Sequence, residues 1–228
     1  MKYKVAAGFC LLAILAWLLP EREKQEKPMP SQGNAGTYFT TCAACHGDHG
    51  QGNNELGAPS IASLPRWYVE EQVQKFRTGL RGKHPGDESG QRMRGAVLDL
   101  SDAQVAEAID TLEAFPVISH KPTMEGDLKR GAVLYRDHCM ECHRFNGRGE
   151  IAFRSSPVVG LQDWYLLAQC EKFKLGIRGY HTDDEDGAKM RKAIHYLQND
   201  SEVLDVIAYI TTLSEQYPEN DKPTTSKP

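Results

Sequence analysis

A mainly α-helical chain, built from one small domain repeated in tandem, is what the sequence predicts. Three observations carry that expectation. Cys42-Ala43-Ala44-Cys45-His46 recurs as Cys139-Met140-Glu141-Cys142-His143, with the two histidines 97 positions apart. The same offset returns Trp67-Tyr68 as Trp164-Tyr165, Lys75-Phe76 as Lys172-Phe173, Arg81-Gly82 as Arg178-Gly179, His84 as His181, and Met93-Arg94 as Met190-Arg191. Between these landmarks apolar residues recur at helical spacing, as in Leu128, Ala132 and Tyr135 or Val105, Ala108, Ile109 and Leu112.

Two cysteines separated by two residues and followed by histidine form the pattern for covalent c-type haem attachment. The thiols bond to the porphyrin and the imidazole takes one axial position of the iron. Met93 and Met190 each stand 47 positions beyond their histidine, which makes them candidates for the opposite axial position. His84 and His181 repeat at the same offset and are the rival ligands. The same cysteines read alternatively as a disulfide framework or as zinc half-sites, but neither accounts for equally spaced methionines.

The 228 residues are 40% hydrophobic and 25% charged, enough for one large or two modest domains. Units of about 90 to 100 residues are small for a core of side chains alone, and a large apolar cofactor would complete each. A net charge of −4 without a sustained basic patch gives no support to nucleic-acid binding.

In chain order, Lys2 and Lys4 precede an apolar run from Val5 to Leu19, so 1–20 reads as an export signal or an uncleaved membrane anchor. Its 15 residues lack a convincing cleavage site and fall short of the usual spanning length. Polar, proline-punctuated 21–31 is a linker. The first haem domain is 32–115, the connector 116–125, the second haem domain 126–217, and 218–228 a flexible tail.

Within each domain a first helix leads into the haem motif, with Tyr38 or Tyr135 four positions ahead of the first cysteine. Glycines follow the motif, then Pro59 and Pro157, whose offset of 98 suggests a one-residue slip. A second helix spans about Pro65 to Lys75, matched by Asp163 to Lys174, with Asp163 favourable at the positive helix end and Gly79 and Gly176 as stops. The stretch from Gly79 to Met93 shows no periodicity and is expected to be a loop. Asp183, Asp184, Glu185 and Asp186 are expected to form a solvated acidic turn before Met190. Ser101 and Gln104 have the spacing of a capping box for the last helix of the first unit. Arg81, Arg178, Arg94 and Arg191 are candidates to meet haem propionates or to cap turns. Cys170, opposite Val73, reads as a buried unpaired thiol, with an intermolecular link or a reactive site as the alternatives.

These motifs resemble the class I cytochromes c, and their pairing resembles the tandem dihaem, two-domain type of bacterial respiratory chains. The resemblance implies two covalently attached haem c groups held by Cys42, Cys45, His46 and Met93 and by Cys139, Cys142, His143 and Met190, with His46, Met93, His143 and Met190 as iron ligands. It implies single-electron transfer between respiratory or dehydrogenase complexes and a terminal oxidase or reductase, in the periplasm or on the outer face of the cytoplasmic membrane. The partners would be a quinol-oxidising complex, a dehydrogenase, or a terminal oxidase or reductase. The alternatives are a tightly bound electron-transfer subunit of a larger redox enzyme, or a dihaem enzyme such as a peroxidase or sulfur-compound oxidase, which requires an open axial site. The family's rear proline, whose carbonyl orients the haem histidine, would carry over to Pro59 and, less securely, to Pro157.

Overall fold

The computed structural model describes residues 36–62 and 64–217. The apolar run 5–19, the linker and the tail lie outside the described residues. Among the described residues no helix is long and apolar enough to cross a membrane. They form helices joined by loops, with only two isolated bridges, Asn53 with Ala58 and Glu150 with Ser155, which are again 97 apart.

In the first unit a π-helical turn, Tyr38–Cys42, runs into the short α1, Ala43–His46. α2 is Arg66–Thr78, α3 Glu88–Val97 and α4 Asp102–Ala114. The second unit repeats them as α5, Leu128–His138; α6, Met140–His143; α7, Asp163–Lys174; α8, Glu185–Ile194; and α9, Asp200–Gln216. A 3-10 turn, Ile151–Phe153, stands in the loop after α6.

The ends follow local chemistry. α2 stops where Gly79 takes a left-handed conformation at φ 81°. Ser101 and Gln104 form the expected capping box on α4. Asp163 does more than favour the start of α7. It is 3% exposed, and its carboxylate accepts from the backbone N–H groups of Thr123 and Met124, tying the connector to the second unit.

Two expectations need correction. The stretch before each methionine is only partly loop, because Asp87 and Asp184 accept from Gly90 N and Gly187 N and so cap α3 and α8. Met93 and Met190 therefore stand on helices. The charged, glycine-bearing sequence of these helices hides their period. The acidic turn is not wholly solvated either: Asp184 is 4% exposed, and with Asp186 it faces Lys75 of the first unit.

Apolar packing gives each unit its own core. Tyr38, Ala62, Ala108, Leu112 and Phe115 form one cluster of the first unit, and Val73, Phe76, Val97, Val105 and Ile109 another. In the second unit Tyr135, Leu166, Phe173, Ile207 and Leu213 belong to one larger cluster. α5 crosses α9 closely at Gly131, where a Cβ would lie 2.0 Å from the Asp205 carbonyl oxygen.

Two residues sit where glycine is expected. Arg144 (φ 67°) and Arg154 (φ 51°) are the only non-glycine residues with positive φ among the described residues. Their counterparts in the first unit are Gly47 (φ 81°) and Gly57 (φ 63°). Arg144 has ψ 162°, a region almost confined to glycine, at a cost of order 1–3 kcal/mol.

Candidate functional site

Among the described residues each unit holds a deep cleft lined mainly by apolar side chains. The first, enclosing about 1300 Å³ with the open space at its mouth, is lined by Cys42, Cys45, His46 and Met93 among others. The second, about 1450 Å³, is lined by Cys139, Cys142, His143 and Met190. All eight residues singled out by spacing are therefore brought to the two clefts, four to each. The rival ligands are engaged elsewhere: His84 Nδ1 accepts from Gly86 N at 3.1 Å, and His181 Nδ1 from Asp183 N at 3.2 Å.

Each histidine is oriented by a backbone carbonyl. His46 Nδ1 lies 2.8 Å from Pro59 O, and His143 Nδ1 lies 2.8 Å from Ser156 O. A carbonyl can only accept, so Nδ1 carries the proton and Nε2 is left with its lone pair, the form that ligates a metal. Burial pushes both imidazoles below the ordinary histidine pKa, against the opposing pull of these hydrogen bonds. The Pro157 expectation is corrected here. The acceptor keeps the 97-residue register at Ser156, and only the proline has moved by one place. Any residue can supply a carbonyl, so the side chain at this position is free to change.

The aromatic residues ahead of the motifs have a matching task. Tyr38 donates its hydroxyl to Gly47 O, and Tyr135 donates to Arg144 O at 2.7 Å. Each buried ring thus fixes the residue that follows the histidine. Burial raises the Cys42 thiol to about 11 and the Cys139 thiol to about 12. Cys170 also lines the second cleft, its thiol pushed by burial to about 12.

Sequence reasoning missed the seam between the units. Tyr68, Gln72, Leu161, Tyr165 and Gln169 line both clefts. Arg81 and Arg178 cross there. Arg81 donates to Gln72 at 2.8 Å within its unit, and to Tyr165 Oη at 2.9 Å and Gln169 at 3.2 Å across the boundary. Arg178 donates to Gln169 at 2.9 Å and to Gln72 at 3.2 Å. Each guanidinium also stacks on an aromatic ring, Phe76 at 4.6 Å and Phe173 at 4.7 Å. Burial works against ionisation of Tyr165, but the charges of Arg81 and Arg178 outweigh it and lower its pKa. Gln72 and Gln169 repeat at the common offset; that was the available signal.

The residues fit a c-type haem. A thiol pair and an Nε2 lone pair share an apolar cleft with a thioether. Arg81, 8% exposed and bonded to amides and a phenol rather than to carboxylates, keeps a buried Nε without a partner. An anionic group entering that cleft would satisfy it. Arg94 and Arg191 lie beside Gly79 and Gly176, at the ends of α2 and α7, and Arg94 also keeps a buried Nε without a partner.

The family model for cytochrome c matches residues 32–111 and, a second time, residues 128–214. The chain belongs to the cytochrome c family. As a cytochrome c of two domains, it is 28% identical over 196 residues to the thiosulfate dehydrogenase electron acceptor of Stutzerimonas stutzeri (strain A1501), covering 82% of this chain and 85% of that protein. The cytochrome is also similar to two solved structures. Thiosulfate dehydrogenase (TsdBA) from Marichromatium purpuratum shares 27% identity at a TM-score of 0.57; the match covers 75% of this chain and only 36% of that longer one. Reduced recombinant cytochrome c4 from Pseudomonas stutzeri shares 25% at a TM-score of 0.55, over 75% of this cytochrome and 92% of that one. Domains of this family carry covalently bound c-type haem, for which the two Cys-x-x-Cys-His motifs of the cytochrome provide.

Proposed function

We propose that this cytochrome is a dihaem electron carrier that accepts single electrons from a dehydrogenase of the thiosulfate-oxidising kind and passes them to a respiratory acceptor. The supporting observation is the pair of clefts, each with its own cysteines, histidine and methionine, which share walls along one seam. Cys42 and Cys45, and Cys139 and Cys142, would hold the two porphyrins through thioether bonds. His46 and His143, each steadied by its carbonyl, would hold the iron through Nε2, and Met93 and Met190 would hold it through their thioethers. When bound, each haem supplies a one-electron iron couple, which thioether ligation shifts towards the ferrous form relative to a second histidine. Buried Arg81 and half-buried Arg178 place positive charge at the seam, where they would hold anionic propionates. The residues hold and tune the cofactor; none is assigned an acid, base or nucleophile role towards a substrate.

Two protein ligands at each iron favour outer-sphere exchange over substrate turnover. The apolar run 5–19 suits export to the periplasm, with or without a retained tether. A second reading, a tightly held subunit, is favoured by the match to a longer thiosulfate dehydrogenase chain of which this cytochrome spans about a third.

The deciding experiment combines spectroelectrochemistry of the purified holoprotein with its reduction by purified thiosulfate dehydrogenase and thiosulfate. Two low-spin His/Met haems, both reduced only when the dehydrogenase is present, are expected. Substrate turnover by the cytochrome alone, or an iron with a vacant or bis-histidine coordination, would overturn the proposal. Stoichiometric co-purification with the dehydrogenase would select the subunit reading.

A further inference from the structure

The two units agree in register almost everywhere around the clefts, so the place where they disagree is informative. The loop after the first motif, 47–57, carries Asp48 and Glu55 and no lysine or arginine. Its counterpart, 144–154, carries Arg144, Arg148 and Arg154 against Glu150 alone. Apolar exposure differs too. Phe145 and Ile151 are 50% and 60% exposed where the first loop has Asp48 and Asn54, and Phe153 is 52% exposed where Leu56 is 39%.

Resting on the electron-transfer reading, we infer that the loop 144–154 at the mouth of the second cleft is the docking face for a redox protein whose contact surface is apolar with a rim of carboxylates. Charge complementarity selects that occupant. Phe153, Arg154 and Lys189 line the second cleft. The outermost charges at this mouth are cationic, because Arg154 and Lys189 have side chains 57% and 70% exposed, whereas their partners Glu71 and Asp186 are 13% and 17% exposed. Arg144 meets Glu150 only at 3.7 Å and is 47% exposed. Arg148 points its guanidinium at the Tyr217 carbonyl and contributes to the fold rather than the surface. Backbone conformation adds a second line of support. Arg144 and Arg154 occupy the positive-φ positions that the sister loop gives to Gly47 and Gly57, so the second loop retains arginine where the backbone favours glycine. The first cleft is itself lined by Arg81 and Arg92, the latter the counterpart of Lys189, so the asymmetry lies in the loops: an acidic partner is steered to loop 144–154 in preference to loop 47–57, which carries Asp48 and Glu55.

The test writes first-unit residues into the second loop. The variant Arg144→Gly, Phe145→Asp, Ile151→Asn is compared with wild type and with the control Asp48→Asn, Glu55→Gln, all as full-length holoprotein with both haem spectra intact. Reduction by thiosulfate dehydrogenase is expected to slow about tenfold in the bimolecular rate for the loop variant, and to change less than twofold for the control. Equal rates for the loop variant and wild type, or a slowing confined to the control, would overturn the inference. If this dehydrogenase fails to reduce even wild type, the partner named above is wrong, and oxidation by ferricyanide then decides. Ferricyanide oxidation that slows with added salt in wild type, and loses that dependence in the loop variant but not in the control, supports the docking face. Salt dependence unchanged by the loop variant overturns it.

Discussion

Lys172 Nζ lies 2.6 Å from Asp87 Oδ1, and the contact joins α7 of the second unit to the residue that caps α3 of the first. Its sister, Lys75 to Asp184 at 2.8 Å, crosses the seam in the opposite sense. Each aspartate thus serves two purposes: it starts the helix bearing the methionine, and it fastens that helix to the other unit.

Removing one partner should therefore cost more than a surface ion pair. Lys172 keeps 17% of its side chain exposed, so Asp87→Ala is expected near the low end for a broken buried pair, about 3 kcal/mol. Burial alone would raise the Asp87 carboxyl; the hydrogen bond and charge of Lys172 outweigh it and hold the pKa below the ordinary value. A depressed carboxylate stabilises the fold above its unfolded pKa and loses that contribution as pH falls through the folded one. Stability should decline below about pH 4, and less steeply in Asp87→Asn. Thermal unfolding across acid pH checks this; an identical slope in the variant would contradict it.

Met93 and Met190 line separate clefts. Met93→Ala should abolish the His/Met signature of one haem and leave the other low-spin. Ligand-sensitive absorption of the oxidised protein is the measurement, and two unchanged His/Met signals would reject the assignment.

Gly131→Ala separates packing from propensity. On an exposed helix the change stabilises by up to about 1 kcal/mol. Here the added methyl would meet the Asp205 carbonyl at 2.0 Å, so α5 and α9 must move apart. A net loss of about 2 kcal/mol is expected. Chemical denaturation reads the sign, and a gain in stability would refute close helix contact.

Tyr38→Phe and Tyr135→Phe each remove a hydroxyl donated to the carbonyl behind a haem motif. Each should cost about 1 kcal/mol. The two losses should be similar, because the geometry repeats; denaturation of the two variants side by side tests that equality.

Spacing alone revealed the duplication, because covalent attachment demands two thiols and an imidazole in one short turn and cannot tolerate rearrangement. The pattern reached Cys42, Cys45, His46 and their counterparts, and the equal interval to Met93 and Met190. It did not reach Ser156, since a backbone carbonyl leaves no mark on side-chain identity. It also misread the segments before the methionines, whose helices are held by Asp87 and Asp184 rather than by an apolar stripe. The crossed arrangement of Arg81, Gln72, Arg178 and Gln169 emerges only when the two units meet. A guanidinium on one half finds its acceptor 88 or 106 positions away, and no local pattern records which half will face which.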